Sequence, residues 1–478
     1  MGLFSRLGKG LSASVFALVM AAFAGGCQGY KANFISAYRA GNYPIAEQDL
    51  LQEGGDAIRS VGHRDRLLFL LEQGAVTRTE GNLQASSQAL DDADKLFQEY
   101  DRKADVRIGR SVIATMSNLA AVDYEGYGYD RIMANAYKAL NYMELGNLDY
   151  ARAELKRVAY AQQLIERRKA SKIRDAEDAR REQGDTDVNR TMNDPSFKAK
   201  TSELYGNLPN NSAKAVYANA FAEYLQGIFL LHAGDASDHE VGRVALRSTL
   251  SMIDNEFVRQ DVELADRISN GEPVPPMTYI IFETGIAPKR VEVRIDVPIF
   301  IFNMMAHDTG VDYVGVAFPR LVDEPGGMPF LNVRTASGTV STQMLVNMDS
   351  VIGREFKDEL PSVITKTLIS AGVKVAAAYA ANRATNNNVY ANILTRVATT
   401  VYQASVNVAD VRTWRSLPKM IVIARVPTPD DGQVNLMSPM GYPAATVRVQ
   451  PKMNNVIWAR GPGDTAPLAC RTFVLKPN

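Results

Sequence analysis

Cysteine, tryptophan and histidine are all scarce in this chain: two, two and four among 478 residues. If Cys27 is covalently modified, Cys470 has no partner, so no disulfide framework exists and the folded body must be held by its core. His232 and His239 are seven residues apart and would share a helix face, but Gly234-Asp235 falls between them. No second cysteine or carboxylate cluster stands near either at ligand spacing, and no metal site is predicted. Net charge is also missing, 53 basic against 53 acidic side chains, which leaves no global field for nucleic acid. Beyond the N-terminus no apolar run reaches the roughly 20 residues of a membrane span; Leu368 to Ala381 is shorter and carries Lys374. There is no Gly-x-Ser-x-Gly, no Walker loop and no dinucleotide fingerprint. Nothing marks two acids that would converge in a cleft. The sequence therefore predicts no enzyme, no catalytic residue and no cofactor.

What is present begins at the N-terminus. Arg6 and Lys9 precede an apolar stretch, Leu11 to Ala24, interrupted only by Ser12 and Ser14. Ala24-Gly25-Gly26 then supplies the small residues that a signal peptidase needs. The pattern small-small-Gly-Cys resembles a lipoprotein processing site, with Ala24 where Leu is commoner. The expectation is a signal peptide over 1–26, cleavage before Cys27 and lipidation of Cys27. Gln28 in place of an aspartate resembles the outer-membrane sorting rule, which implies a lipid-anchored, periplasm-facing protein.

From 27 to 270 the chain reads as helix. Pro44 is the only proline before Pro195, and apolar residues recur at three- and four-residue spacing. Gly41-Asn42-Tyr43, Gly81-Asn82-Leu83 and Gly146-Asn147-Leu148 are three copies of one turn, with a worn fourth at Gly234-Asp235. Gly74 and Gly227 stand seven residues before the second and fourth. This resembles the tetratricopeptide repeat, in which a small residue lets paired helices approach and neighbouring pairs stack into an array. Spacings of 40 and then 65 residues make the repeats irregular. Residues 147–183 contain neither Gly nor Pro after Asn147 and predict one long charged helix, solvated rather than a lipid- or glycan-touching arm. Gly184 to Asn211, rich in Asp, Asn and Ser, reads as a flexible connection.

Gly271-Glu272-Pro273-Val274-Pro275-Pro276 reads as a linker, and period-two alternation follows it. Strands are expected at Met277 to Glu283, Arg290 to Val297, Tyr313 to Ala317, Phe330 to Arg334 and Val340 to Asn347. The first two are expected to join by a hairpin or tight connection at Gly285-Ile286-Ala287-Pro288. A long helical stretch from Ser350 to Val408, broken near Asn386, precedes further strands at Met420 to Val426, Gln433 to Leu436, Thr446 to Gln450, Val456 to Arg460 and Arg471 to Leu475. The fold class is α+β: an all-α helical-repeat array, then a β-rich domain over 271–478 with an embedded helical segment covering its sheet.

Two runs carry a family resemblance. Phe282-Glu283-x-Gly285-x-Ala287-Pro288-Lys289, continuing through Val291 to Pro298, is one; Asp410-Val411-Arg412-Thr413-Trp414-Arg415-Ser416-Leu417-Pro418 is the other. Together they resemble uncharacterised proteobacterial envelope lipoproteins with N-terminal tetratricopeptide-like repeats. The resemblance implies a role in envelope assembly and no assigned activity. Glu283, Lys289, Asp410, Arg412 and Trp414 are the candidate binding residues. The competing reading makes Asp410 and Arg412 braces of a corner and Trp414 a filler of core volume.

Two functions follow from these residues. One is a membrane-anchored scaffold that binds an envelope protein in the groove of the array, with Tyr124, Tyr127, Tyr129 and Tyr137 as aromatic anchors. The other is a carrier or sensor of envelope glycan or lipid, bound in the C-terminal domain.

Overall fold

The computed structural model describes residues 33–106, 122–182, 185–208, 219–298, 313–384 and 408–475. The signal segment and Cys27, the Asn386 break and His307 lie outside the described residues.

Helices α1 (Phe34–Arg39), α2 (Tyr43–Arg59), α3 (Arg66–Glu80), α4 (Leu83–Val106), α5 (Gly128–Glu144) and α6 (Leu148–Glu182) each pack on the next. The α1–α2, α3–α4 and α5–α6 turns place Gly41, Gly81 and Gly146 at φ of +78°, +106° and +73°, a left-handed conformation that Gly adopts without a Cβ penalty. The paired glycine also has its expected role. A Cβ on Gly74 would lie 2.5 Å from Leu90 of α4, and one on Gly227 would lie 2.6 Å from Leu246 of the helix that follows. Glycine is what lets each pair close.

After α6 come α7 (Asp185–Met192) and α8 (Pro195–Tyr205). The expectation of an irregular connection from Gly184 onward is corrected here. Asp194 caps α8 by accepting the N–H groups of Ser196 and Phe197, and Pro195 occupies its first turn, so the polar composition is start chemistry for a helix. A third group, α9 (Ala220–Ala233), α10 (Ala236–Met252) and α11 (Glu256–Ser269), closes the array. Its worn Gly234-Asp235 turn works differently: Gly234 is extended, and Asp235 forms a capping box with Asp238.

Helix α6 does run unbroken, about 52 Å at 1.5 Å per residue. It is no free arm. It packs along α12 (Met348–Ala384), the long helix of the C-terminal half.

The strands fall close to where the alternation predicts, except that the single strand expected over Val340 to Asn347 is two, ending at Ser341 and resuming at Gln343 in a different sheet; their pairing is the new information. Strands β1 (Met277–Thr284), β6 (Gln343–Asn347), β7 (Met420–Pro427), β10 (Asn455–Gly461) and β11 (Ala469–Val474) form a mixed sheet ordered β11-β10-β1-β7-β6. Strands β4 (Asn332–Thr335), β5 (Gly338–Ser341), β8 (Gln433–Met437) and β9 (Pro443–Arg448) form a second sheet, β5-β4-β8-β9. Strands β2 (Lys289–Pro298) and β3 (Tyr313–Val322) make a separate ribbon. The Gly285 turn is thus a tight connection and not a hairpin: it sends β1 and β2 into different sheets. Gly285 has φ +66°, and a Cβ there would meet Lys419 Cβ at 2.8 Å.

Every residue of β1 is buried. Its odd positions face the array, where Tyr279 meets His232 of α9 and Glu283 meets Tyr137 of α5. Its even positions turn the other way, Thr278 to Thr428 and Thr284 to the Met328 carbonyl. One apolar core consequently runs from Leu67, Leu90 and Leu140 of the array through Ile281 and Ile457 to Val434 and Leu436 of the second sheet. The helix expected to cover the sheet instead covers the ribbon: Leu368, Ile369 and Ala371 of α12 pack on Ile295, Val297, Val316 and Phe318, with Phe197 of α8.

Candidate functional site

Residues 408–418 form neither helix nor strand. They run as an extended strap into β7, between the array and the sheet, and carry three of the five candidate residues. An extended strap has backbone N–H and C=O groups without a ladder, and burial makes each need a partner.

The principal acceptor is Glu72, a carboxylate within the otherwise apolar run of α3. It is fully buried. Its Oε1 accepts the Arg415 backbone N–H at 2.6 Å; its Oε2 accepts the Ser416 N–H at 3.0 Å and the Ser416 hydroxyl at 2.6 Å. One side chain thereby satisfies three donors that burial would otherwise leave without acceptors.

On either side the tyrosines of the array read the strap. Tyr127 donates its hydroxyl to the Arg412 carbonyl at 3.4 Å, and the Tyr129 hydroxyl lies 3.1 Å from Thr413 Oγ1. Tyr137 packs edge-on against Trp414 with ring centroids 5.9 Å apart. The expected aromatic anchors are therefore already occupied, by the chain itself.

Each candidate residue has an internal role. Asp410 accepts Nε and Nη2 of Arg412, both at 2.8 Å, together with the Arg412 backbone N–H. Arg412 then reaches across to Asp65 Oδ1 at 2.8 Å and the Val122 carbonyl at 2.9 Å. Trp414 has no solvent exposure and donates its indole N–H to Ser416 Oγ at 2.9 Å.

Glu283 lies beneath the strap, in β1. It accepts the Tyr137 hydroxyl at 2.9 Å and the Trp458 indole N–H at 2.8 Å, and Arg460 stands 4.0 Å away. Arg460 ties three parts together by donating to the Tyr38 hydroxyl, the Glu283 carbonyl and the Ser416 carbonyl. Lys289, by contrast, turns away from Glu283 and pairs with Glu324 at 3.2 Å. Glu324 also receives Arg39 and Arg415, and this cationic surround holds its carboxyl below the ordinary range against the opposing effect of burial.

Trp458 is the second aromatic post. Arg78 and Arg471 lie over its ring at 4.7 and 4.2 Å and share the Glu144 carboxylate. Burial, reinforced by Arg78, lowers Arg471 to about 10. Arg471 also donates to the Thr79 carbonyl in the last turn of α3, where a cation meets the negative end of the helix dipole.

The sequence reading missed Glu72, Arg78, Arg460 and Arg471. A signal for them was available: each is a charge inside or at the edge of an apolar run, which only a buried partner permits. What the arrangement can do chemically is hold two halves in register. His232 is half-buried with Nε2 2.7 Å from the Tyr279 hydroxyl, and desolvation lowers it to about 3, so it stays neutral. Among the described residues no group of three or more His, Cys, Asp or Glu is placed to hold a metal ion. No protein-family model, curated protein or solved structure matches the chain.

Proposed function

We propose that this protein is an exported lipoprotein of the bacterial envelope, anchored through lipid on Cys27, and that its array and sheet form one rigid scaffold for envelope proteins. The observation that supports the scaffold reading is the strap. Residues shared with the lipoprotein-like motifs are engaged in joining the array to the sheet, which makes a stiff platform: Arg412 reaches Asp65, the Ser416 N–H reaches Glu72, and Trp414 is enclosed. The carrier reading needs a pocket lined by the Glu283–Lys289 region or the Asp410–Trp414 corner; Glu283 and Trp414 are buried against protein groups, Lys289 is paired with Glu324 and Asp410 with Arg412.

The tyrosine face of the array is covered, so a partner has to use the outer helices. Tyr150 and Tyr160 of α6 are 64% and 58% exposed and supply aromatic area on the outer face, Tyr150 with one side of its ring against Tyr142. Crosslinking in intact cells, followed by mass spectrometry, compares the wild type with Cys27→Ala. A defined envelope protein retained by the wild type and lost with the anchor supports the proposal. Loss of that same protein on Tyr150→Ala would locate the contact. If no protein is enriched while the purified protein binds envelope lipid or glycan, the carrier reading replaces it.

A further inference from the structure

The distance between the anchor cysteine and the folded body is short. Asn33 and Phe34 donate their backbone N–H groups to the Glu53 carboxylate at 3.2 Å each, which fixes the start of α1 against α2. Cys27 lies six residues before Asn33. Six residues reach at most about 20 Å when fully extended. Lipid on Cys27 would thus keep Asn33 within that distance of the bilayer, and the body has to lie close over it.

The array offers two ends to the membrane, and they differ. At one end are the Gly41, Gly81 and Gly146 turns. At the other are the start of α1 and the α2–α3 turn. Asn33 is level with Glu53, and the neighbouring Gly54 packs on Phe69 of α3. From that level to Gly81 is about 18 Å along the helix, so a tether turning back would use nearly its whole length. In the forward direction α2 continues from Glu53 to Arg59, about 9 Å, and carries the α2–α3 turn toward the bilayer.

That turn ends in a feature no packing explains. Val61 is 87% exposed, the most exposed large apolar side chain among the described residues. Beside it Gly62 takes φ +90°, with open space where a Cβ would stand. Arg59 is exposed on one side, paired with the still more exposed Asp56, and Arg64 is part-exposed on the other, near Asp65. A surface pair such as Arg59 with Asp56 exchanges readily for another anion. His63 braces the turn by accepting the Asp65 N–H on Nδ1 at 3.1 Å.

We propose that the α2–α3 turn, Arg59 to Arg64, is a bilayer-docking surface, with Val61 entering the head-group region and Arg59 and Arg64 meeting lipid phosphates. The proposal rests on lipidation of Cys27. One valine and two arginines would not hold a protein on a membrane alone. On a tether of this length they act at high effective concentration and set orientation, so the Gly41–Gly81–Gly146 end and Tyr150 point away from the bilayer.

The test uses the full-length lipidated protein with Cys470→Ala, carrying either Val61→Cys or Tyr150→Cys labelled with an environment-sensitive fluorophore. The vesicles contain phosphatidylethanolamine and phosphatidylglycerol, with and without a quencher-bearing lipid. The mass of the N-terminal peptide reports lipidation independently. The expected result is a blue shift and strong quenching at position 61, with neither at position 150. Lipidated, vesicle-bound protein in which position 61 remains unquenched, or is quenched no more than position 150, overturns the docking surface and leaves the anchor standing. A protein with no lipid on Cys27 overturns both.

Discussion

Glu72 shows most simply how one side chain can join distant parts of a chain. Its carboxylate accepts two successive backbone N–H groups and a hydroxyl from residues more than 340 positions away. Glu72→Gln keeps the size but replaces one oxygen with an NH2 that faces other donors. Buried donors then lack an acceptor, and we expect a loss of about 3 kcal/mol in denaturant unfolding, with the midpoint lowered and little change in slope. A midpoint within error of the wild type would mean that the strap is held by packing alone. Asp130, at the start of α5, gives a pH signature. It is fully buried and accepts the Tyr124 hydroxyl and the Tyr127 N–H; among the described residues no cation forms an ion pair with it, and burial raises its carboxyl to about 7 against the lowering effect of Arg290. Between the ordinary 3.8 and about 7 the unfolded chain releases this proton and the folded chain retains it. Stability should therefore fall as pH rises through that window, by a few kcal/mol at most (on the order of 1.4 per unit). In Asp130→Asn that part of the slope should disappear, which stability curves at several pH values would reveal.

At the scale of elements, the close approach of paired helices depends on Gly74. A methyl group there would stand 2.5 Å from Leu90, so Gly74→Ala should push α3 and α4 apart and lower stability by about 1–3 kcal/mol, measured by thermal unfolding. In an open helix the same change would stabilise by up to about 1 kcal/mol, so the sign alone decides. This device was legible in the sequence because glycine at a fixed distance from a Gly-Asn turn has a local cause. Strand positions were legible for the same kind of reason, since alternation at Met277 to Glu283 reflects two faces of one strand. What could not be read was pairing. Nothing local says that β1 lies parallel to β10, or that β2 leaves to join β3 in a separate ribbon. The α8 helix was missed although Asp194-Pro195 is a start signal, because the polar composition around it was given more weight than its capping chemistry. The motif residues Asp410, Arg412 and Trp414 stood out, but the distant groups that hold their strap, Asp65, Glu72 and Tyr137, come from elsewhere along the chain. A site built by long-range contacts leaves its components visible in sequence and its assembly hidden.

For the whole molecule, the proline-rich segment 271–276 looked like a boundary, yet the elements on either side of it share a core. The strap and the Glu283–Arg460 cluster add polar contacts to that shared apolar surface. Array and sheet should therefore unfold as one cooperative unit, in which the helices cannot outlast the sheet. The chain supplies its own reporters. Its two tryptophans, Trp414 and Trp458, both lie where array meets sheet, one in the strap and one under Arg78 and Arg471. The most direct measurement is denaturant unfolding followed at once by tryptophan fluorescence and by far-ultraviolet circular dichroism, which reports mainly the helices. A shared core requires coincident transitions in the wild type that move together to lower denaturant in Glu72→Gln. A helical signal that persists after the tryptophans have become exposed would contradict it, and would show the array to be an independent domain on which the sheet merely rests.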